Sequence, residues 1–170
     1  MLDIGCYVGW NSAFFKHYST EAHYVVGCDL DTSSLRKAQV LLDDVVRADI
    51  RHLPFKTTSF DDGLCIEVIE HLPKDDAPLL VEEFKRVCSH VFLTTPNCWQ
   101  GRGLEALLGN HPLLEHQSQF SPDDLRALGA TKVRGLGWKS NRAIVSRWGH
   151  FLWFIPYIFP RISRNLIVLF

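Results

Sequence analysis

Short apolar runs alternate with helical segments along most of this chain. The runs are rich in β-branched and aromatic residues, as strands usually are. Five rounds of this alternation predict an α/β domain whose parallel strands are joined by helical crossovers. The predicted strands are residues 2–4, 23–29, 45–50, 59–72 (the fourth strand with its exit), 91–97, 131–138 and 165–170.

Four helices are predicted between these strands. The first follows a glycine turn and covers about residues 10–18. The second covers residues 33–42, and the third covers residues 75–87, where the apolar positions share one face. The fourth begins after Ser121, which suits an N-cap, with Pro122 in its first turn.

The composition fits one folded domain. Of the 170 residues, 46% are hydrophobic and 22% are charged, enough for a substantial core. The five cysteines form no Cys-x-x-Cys pair, so they predict core packing and a reducing compartment rather than a metal finger. The first motif begins at the start of the sequence, with no signal peptide in view, and a cytoplasmic location is expected.

The stretch from Leu2 to Trp10 carries the first chemical signal. Gly5 and Gly9 let the backbone approach a ligand that a Cβ would exclude, and the following helix presents unpaired N–H groups. Asp3 can accept hydrogen bonds from a cationic or amino group. These features suit a nucleoside-bearing cofactor at the carboxyl end of a parallel strand. The alternative is an ordinary strand–helix turn without a ligand.

Asp29 ends the second apolar run at about the distance from Gly5 expected of a ribose-binding carboxylate. A carboxylate suits this role because it accepts from two vicinal hydroxyls at once. The alternative is a helix cap, but Asp31 and Thr32 are better placed to cap the second helix.

Several stretches, taken in order, resemble the class I S-adenosylmethionine-dependent methyltransferases, in the branch of the type 11 domains. The glycine turn resembles motif I of that family, with Tyr7 in place of the middle glycine. The resemblance covers residues 2–135. Three further stretches typical of the branch are Asp49-x-x-x-Leu53-Pro54-Phe55, Val68-Ile69-Glu70-His71-Leu72 and Thr95-Pro96-Asn97.

This resemblance implies a Rossmann-like, doubly wound sheet of seven strands in three α/β/α layers, with the last strand antiparallel. It implies S-adenosylmethionine as the cofactor and a small-molecule or lipid-like methyl acceptor. Asp49 would meet the adenine amino group, and Ile50 would lie against the ring. The implied cofactor-binding residues are Asp3, Gly5, Cys6, Tyr7, Gly9, Asp29, Leu30, Asp49, Ile50 and Glu67.

The resemblance also sets an expectation for domain organisation. Residues 1–170 are predicted to form one methyltransferase domain, without the helical segment that the family usually carries before motif I. Residues 139–164 are predicted to be a basic, aromatic segment inserted before the last strand.

Glu67, Glu70 and His71 form a cluster of acids and a histidine after the fourth strand. If the chain is helical there, the three side chains share one face and, with His116, could bind a divalent cation such as Mg²⁺. This arrangement resembles that of metal-dependent small-RNA 2′-O-methyltransferases and ubiquinone-pathway O-methyltransferases. Two alternatives remain: His71 is a catalytic or acceptor-orienting residue without a metal, or the cluster is structural.

The charges are divided unevenly along the chain. Residues 1–124 carry 10 Lys and Arg against 19 Asp and Glu, whereas residues 125–170 carry 8 Lys and Arg and no acid. Six aromatic residues lie between residues 148 and 159, in a run too short to cross a bilayer. The segment 142–164 therefore predicts peripheral association with an anionic membrane. Packing on the domain itself is the alternative, and nucleic acid is the least favoured partner.

Three functions follow from this reading. The first is methyl transfer from S-adenosylmethionine to a small-molecule or lipid-like acceptor. The second is metal-assisted methylation of an RNA 2′-hydroxyl. The third is a non-catalytic protein, either cofactor-binding or structural, suggested by Tyr7 and by the missing helical segment.

Overall fold

The computed structural model describes residues 1–18, 24–97, 115–138 and 163–170, without the side chains of residues 136–138 and 163–164. Seven strands lie within these ranges, and they form one sheet. The strands are β1 Leu2–Ile4, β2 Val26–Asp29, β3 Asp44–Arg47, β4 Phe60–Ile66, β5 Cys88–Pro96, β6 Lys132–Trp138 and β7 Ser163–Leu169.

The strands stand in the order β3–β2–β1–β4–β5–β7–β6. Strands β1 to β5 are parallel to one another, while β7 is antiparallel to both β5 and β6. The chain extends the sheet first to one side of β1 and then, from β4, to the other. In such a sheet, ligands bind beyond the carboxyl ends of the strands at this switch point. The predicted seven-stranded, doubly wound sheet with an antiparallel last strand is confirmed.

Four α-helices lie in the described ranges: α1 Trp10–Tyr18, α2 Thr32–Ala38, α3 Ala77–Val87 and α4 Pro122–Ala127. The carboxylate of Asp31 caps α2 by accepting from the N–H groups of Ser33 and Ser34. Ser121 caps α4 in a reciprocal capping box with Asp124. The predicted caps Asp31 and Ser121 are confirmed, whereas Thr32 is the first residue of α2 and does not cap it.

The end of α2 differs from the prediction of a helix to residue 42. The N–H groups of Val40 and Leu41 bond to carbonyls only three residues back, which tightens the last turn and ends the helix. The side chain of Leu42 then packs in a small core with Cys6 and Ala38. The predicted helix was too long because Leu42 is apolar and has a helical spacing from the other apolar residues. Its side chain reaches the core although its backbone lies beyond the end of the helix.

Side-chain alternation along β1 decides which helix covers which face of the sheet. Leu2 and Ile4 belong to the main core together with Phe84 of α3. Asp3 points to the opposite face, where the hydroxyl of Ser12 in α1 donates to it. Helices α1 and α3 therefore lie on opposite faces, as the predicted three layers require.

Two predictions fall almost entirely on parts of the chain that the structure leaves undescribed: the basic, aromatic segment at residues 139–164 and the membrane contact of residues 142–164. Almost all of the segment 142–164 is outside the described residues, so its contact with a membrane stays a prediction. Among the residues that are described, no helix is both long and apolar enough to cross a bilayer.

Candidate active site

The turn after β1 is built from left-handed backbone conformations. Gly5, Tyr7 and Gly9 have φ angles of 65°, 48° and 82°. A Cβ on residue 5 would lie 2.5 Å from Cγ2 of Val68, so this turn packs directly on the segment that leaves β4. Glycine at position 5 satisfies both the φ angle and the close approach.

Tyr7 holds a conformation that costs a residue with a side chain about 1–2 kcal/mol. Its N–H donates to Oδ2 of Asp29 at 2.8 Å, while its side chain is 37% exposed. The backbone of the turn, rather than the tyrosine ring, therefore contacts the ribose-binding candidate. The left-handed φ explains why glycine suits this position in motif I.

Asp29 joins the glycine turn to the start of α2. Its Oδ2 accepts from the Tyr7 N–H, and its Oδ1 accepts from the Asp31 N–H at 2.9 Å. A carboxylate oxygen offers two acceptor positions, so each oxygen of Asp29 can accept one more hydrogen bond, as a ribose diol requires. The helix-cap alternative for Asp29 is excluded because Asp31 caps α2.

Asp3 is buried at the end of β1 beneath α1. Burial raises the pKa of its carboxyl to about 7, although the Ser12 hydroxyl, 2.7 Å from Oδ2, opposes the rise. A buried carboxyl of this kind is strongly stabilised in its ionised form by a cationic ligand. Asp3 therefore suits the amino group that the sequence analysis assigned to it.

Asp49 and Ile50 follow β3 on a loop at the same edge of the sheet. Ile50 is buried in the main core. The carboxylate of Asp49 accepts from the backbone and the guanidinium of Arg51, which also donates to Asp76 at 2.6 Å. The hydrogen bonds from Arg51 hold the pKa of Asp49 below its usual range.

Cys6 and Leu30 are two further residues that were predicted to bind the cofactor. Cys6 is buried in the small core, where burial raises the pKa of its thiol, and its N–H donates to the Cys28 carbonyl at 3.1 Å. Its side chain thus has a structural role, and only its backbone is part of the turn. Leu30 follows Asp29 and is 39% exposed.

Glu67 marks the exit of β4 and also has a left-handed φ, 56°. Its N–H donates to the Thr94 carbonyl, and its carboxylate accepts from the Thr94 hydroxyl at 2.9 Å and from Nδ2 of Asn165 at 3.3 Å. A residue in this conformation ends the strand and does not begin a helix. The helical condition for placing Glu67 on one face with Glu70 and His71 is therefore not met.

Glu70, His71 and His116 do come together. One ligand atom from each lies within 4.8 Å of the others, and the two imidazole rings are 4.9 Å apart. The 3₁₀ turn Ile69–His71 supplies the first two residues. His116 lies near Glu70 because the two residues after His116, Gln117 and Ser118, donate their N–H groups to the Glu70 carbonyl.

The protonation of two of these residues is tied to their partners. Nδ1 of His71 lies 3.1 Å from the Glu115 carbonyl, which can only accept, so Nδ1 is the donor in this hydrogen bond; in a neutral ring Nε2 would then carry the lone pair. Oε2 of Glu70 accepts from the Thr95 hydroxyl, while its buried Oε1 accepts no hydrogen bond from the described residues. Burial, and then the charge of Glu67, raises the pKa of Glu70 to about 8.

The residues that hold these groups in place could not be identified from the sequence. Val68 and Thr95 lie in stretches typical of the family, and Arg51 lies two residues after Asp49, but no local pattern indicates the contacts that any of these residues makes. The missed positioning residues are Ser12, Arg51, Val68, Thr94, Thr95 and Asn165.

A match to a protein-family model decides the family. The model, described as a methyltransferase domain, matches residues 2–90, more than half of the chain. The chain belongs to the class I S-adenosylmethionine-dependent methyltransferases. No curated protein sequence matches it.

Solved methyltransferase structures share the fold. The chain aligns over 99% of its length with 79% of a possible histamine N-methyltransferase from Thermotoga maritima (TM-score 0.66, 16% identity). It aligns over the same share with 83% of a methyltransferase from Archaeoglobus fulgidus (TM-score 0.62, 19% identity). It also matches the small RNA methyltransferase HEN1 (TM-score 0.63, 16% identity) but spans only 22% of that protein.

The methyltransferase family implies S-adenosylmethionine, and the residues present fit this cofactor. The Asp29 carboxylate keeps acceptor positions for a diol, and Asp3 offers a buried carboxyl to an amino group. Asp29 is the last residue of β2 and Asp3 is next to the last residue of β1, which are positions expected of a nucleotide site at the switch point. The individual cofactor contacts stay predictions.

Replacing Tyr7 by glycine should leave cofactor affinity within about threefold, because the backbone N–H that bonds to Asp29 is kept. Relief of the left-handed strain should offset the entropic cost of glycine, about 0.5–1 kcal/mol. Tyr7→Ala, which removes the ring but keeps the strain, is the matched control. Calorimetric titration with S-adenosylhomocysteine measures both. If the wild type binds nothing and Tyr7→Gly does, the non-catalytic reading of the protein is correct.

The stability of the ligand-free protein should fall as pH rises from about 4 to about 8. The pKa values of Asp3 and Glu70 are raised from 3.8 and 4.5 to about 7 and about 8, so the folded state holds more protons than the unfolded state in this window. Asp3→Asn should flatten the fall below pH 7 and leave the part due to Glu70. Urea unfolding at several pH values tests this, and an unchanged slope in Asp3→Asn contradicts it.

Proposed function

We propose that this methyltransferase moves the methyl group of S-adenosylmethionine to a small-molecule or lipid-like acceptor bound beside Glu70, His71 and His116. One observation carries the proposal. The segment that leaves β4 packs Val68 against Gly5 of the cofactor turn and, two residues later, begins the acid–histidine cluster. A methyl acceptor bound at the cluster would thus be next to the predicted cofactor-binding site.

The residues of the cluster suit a protic acceptor such as a hydroxyl or amine. S-adenosylmethionine supplies a methyl group on a sulfonium, which is already a good leaving centre. Nε2 of His71 can take the proton that the acceptor loses, since Nδ1 is held by the Glu115 carbonyl. The larger contribution comes from holding donor and acceptor in line, which the packing of Val68 on the turn supports.

Asp29→Ala should weaken the binding of S-adenosylhomocysteine by about 2 kcal/mol or more, because the diol loses hydrogen bonds to a charged group. Asp31→Ala is the matched control. It removes the cap of α2 and should lower stability by about 1 kcal/mol without a comparable loss of affinity. Calorimetry on both variants, with thermal melts, separates the two effects. Unchanged affinity in a folded Asp29→Ala protein overturns the site.

A second candidate function is metal-assisted methylation of an RNA 2′-hydroxyl, and the cluster itself favours it. One carboxylate and two imidazoles are a donor set for a divalent cation, and Oε1 of Glu70, which accepts no hydrogen bond from the described residues, would become a ligand of that cation. A cation would polarise the acceptor hydroxyl. RNA binding would weaken steeply with salt, whereas binding of an uncharged small acceptor would not.

If the cluster holds a cation, Mn²⁺ should bind the wild type and raise its melting temperature. His116→Ala should lose most of this effect while keeping its affinity for S-adenosylhomocysteine. His90→Ala, which removes an exposed histidine near the start of β5, beside Asp62 of β4, should behave like the wild type. Mn²⁺ titration followed by electron paramagnetic resonance measures binding directly. No binding by the wild type excludes the metal-assisted function and leaves His71 as the base.

A further inference from the structure

The outer side of α1 is lined with exposed aromatic side chains. Trp10, Phe14 and Tyr18 follow one another at four-residue spacing, which places them on one side of a helix. Their side chains are 73%, 64% and 68% exposed, and the ring centroids of Phe14 and Tyr18 lie 4.4 Å apart. The buried Ser12 is on the opposite side of α1, against the sheet. The helix thus presents an aromatic stripe away from the domain.

Helix α2 and the turn that ends it extend this layer. The two helices lie side by side, because the Lys16 ammonium of α1 forms an ion pair with Asp43, just before β3. At the other end of α1, a Cβ on Gly9 would lie 3.3 Å from Cβ of Ala38 in α2. Val40, in the turn after α2, is 83% exposed and adds an apolar side chain.

The two helices of this layer carry cations but no acid. Lys16, Arg36 and Lys37 lie within their bounds, whereas α3 and α4 on the opposite face each contain two acids. Arg36 and Lys37 are exposed, and neither forms an ion pair with an acid in the part of the chain that the structure describes. Asp31 and Asp43, which flank α2, are engaged by the helix cap and by Lys16. The free charge of the two helices is therefore positive.

We propose that this face is a docking surface for a bilayer of anionic phospholipid. The aromatic–basic surface, as we name it, consists of Trp10, Phe14, Tyr18, Arg36, Lys37 and Val40. Trp and Tyr favour the membrane interface, where the ring leaves water and the polar tip stays hydrated. A surface helix with such a face lies in the plane of the interface, and cations beside it attract anionic headgroups.

A second copy of this chain is a less suitable occupant of the aromatic–basic surface. In a two-fold dimer the same surface meets itself, so the uncompensated cations Arg36 and Lys37 of both copies would be brought together. Neither helix has an acid to pair with them, and the juxtaposition of like charges would cost free energy. An anionic bilayer satisfies the aromatic and the cationic parts of the surface together.

The aromatic–basic surface begins beside the cofactor turn. Trp10 is the first residue of α1 and lies three residues after Tyr7. From Trp10 to Tyr18 the stripe spans about 12 Å at the rise of an α-helix. Docking through it would hold the turn near the bilayer, which suits the lipid-like acceptor of the proposed function, although the docking itself does not depend on that function.

The test is co-sedimentation of the full chain with vesicles of phosphatidylcholine and phosphatidylserine, with vesicles of phosphatidylcholine alone as the reference. The wild type should bind the anionic vesicles, and its binding should weaken as salt is added. Phe14→Gln/Tyr18→Gln should weaken binding at least about tenfold, because the apolar contact is lost. Leu79→Gln, which replaces an exposed apolar side chain of α3 on the opposite face, is the matched control and should bind like the wild type.

Charge reversal tests the cationic part of the surface separately. Arg36→Glu/Lys37→Glu should weaken binding to anionic vesicles at least about tenfold and remove most of its salt dependence, since each cation near the surface contributes about fivefold. Lys56→Glu/Lys85→Glu makes the same change in net charge on α3 and on the loop whose Thr58 N–H donates to the Arg86 carbonyl. This control should keep most of the binding, because screening limits the reach of distant charges.

Tryptophan fluorescence reports whether the stripe enters the bilayer. Brominated phosphatidylcholine in the anionic vesicles quenches the tryptophans that reach the acyl boundary. Trp10→Phe should remove part of the quenching that the wild type shows while keeping most of the binding. Equal quenching in the two proteins contradicts insertion of the stripe and overturns the inference.

The remaining outcomes are distinct. A wild type that stays in the supernatant at low salt overturns the inference, and analytical ultracentrifugation with thermal melts then assigns the surface. A dimer that Phe14→Gln/Tyr18→Gln dissociates indicates a second copy, and a monomer that the same change destabilises indicates packing within the chain. Vesicle binding that neither double variant weakens also overturns the inference and leaves the segment 142–164 as the membrane contact. Vesicle binding without affinity for S-adenosylhomocysteine contradicts the proposed function alone.

Discussion

The packing of Val68 against the backbone of Gly5 is the contact on which the rest of the site depends. Strands β1 and β4 are neighbours at the switch point, and their exits meet with no room for a Cβ between them. Because the contact is made at the backbone, neither exit can shift without the other. The cofactor turn and the acid–histidine segment are therefore one packed unit.

Two residues with side chains hold left-handed conformations on either side of this contact. Tyr7 is stabilised by its bond to Asp29, and Glu67 by bonds to the backbone and the hydroxyl of Thr94. Strain of this kind persists where surrounding interactions over-determine the backbone, and it clusters at functional sites. Here Glu67 directly follows β4, and Tyr7 lies in the turn between β1 and α1.

The carboxylates at this edge are set in contrasting environments. Asp3 and Glu70 are buried, and burial raises the pKa of each, so both are suited to meet positive charge from a ligand. Asp49 lies against Arg51, which keeps its pKa low and its oxygens as acceptors. The site thus offers acids whose charge depends on the ligand and one whose charge is fixed by the protein.

The sequence by itself determined the alternation of strands and helices, the caps at Asp31 and Ser121 and the glycine turn, because periodicity, capping and glycine turns are properties of neighbouring residues. The arrangement of the strands in the sheet was implied by the resemblance to the family. It also indicated His116 as a partner for His71, by residue type. Only the tertiary structure decided that Glu67 lies outside their cluster, since its carboxylate is held by Asn165, 98 residues away. Such contacts depend on which strands become neighbours in the sheet, and local patterns do not encode that information.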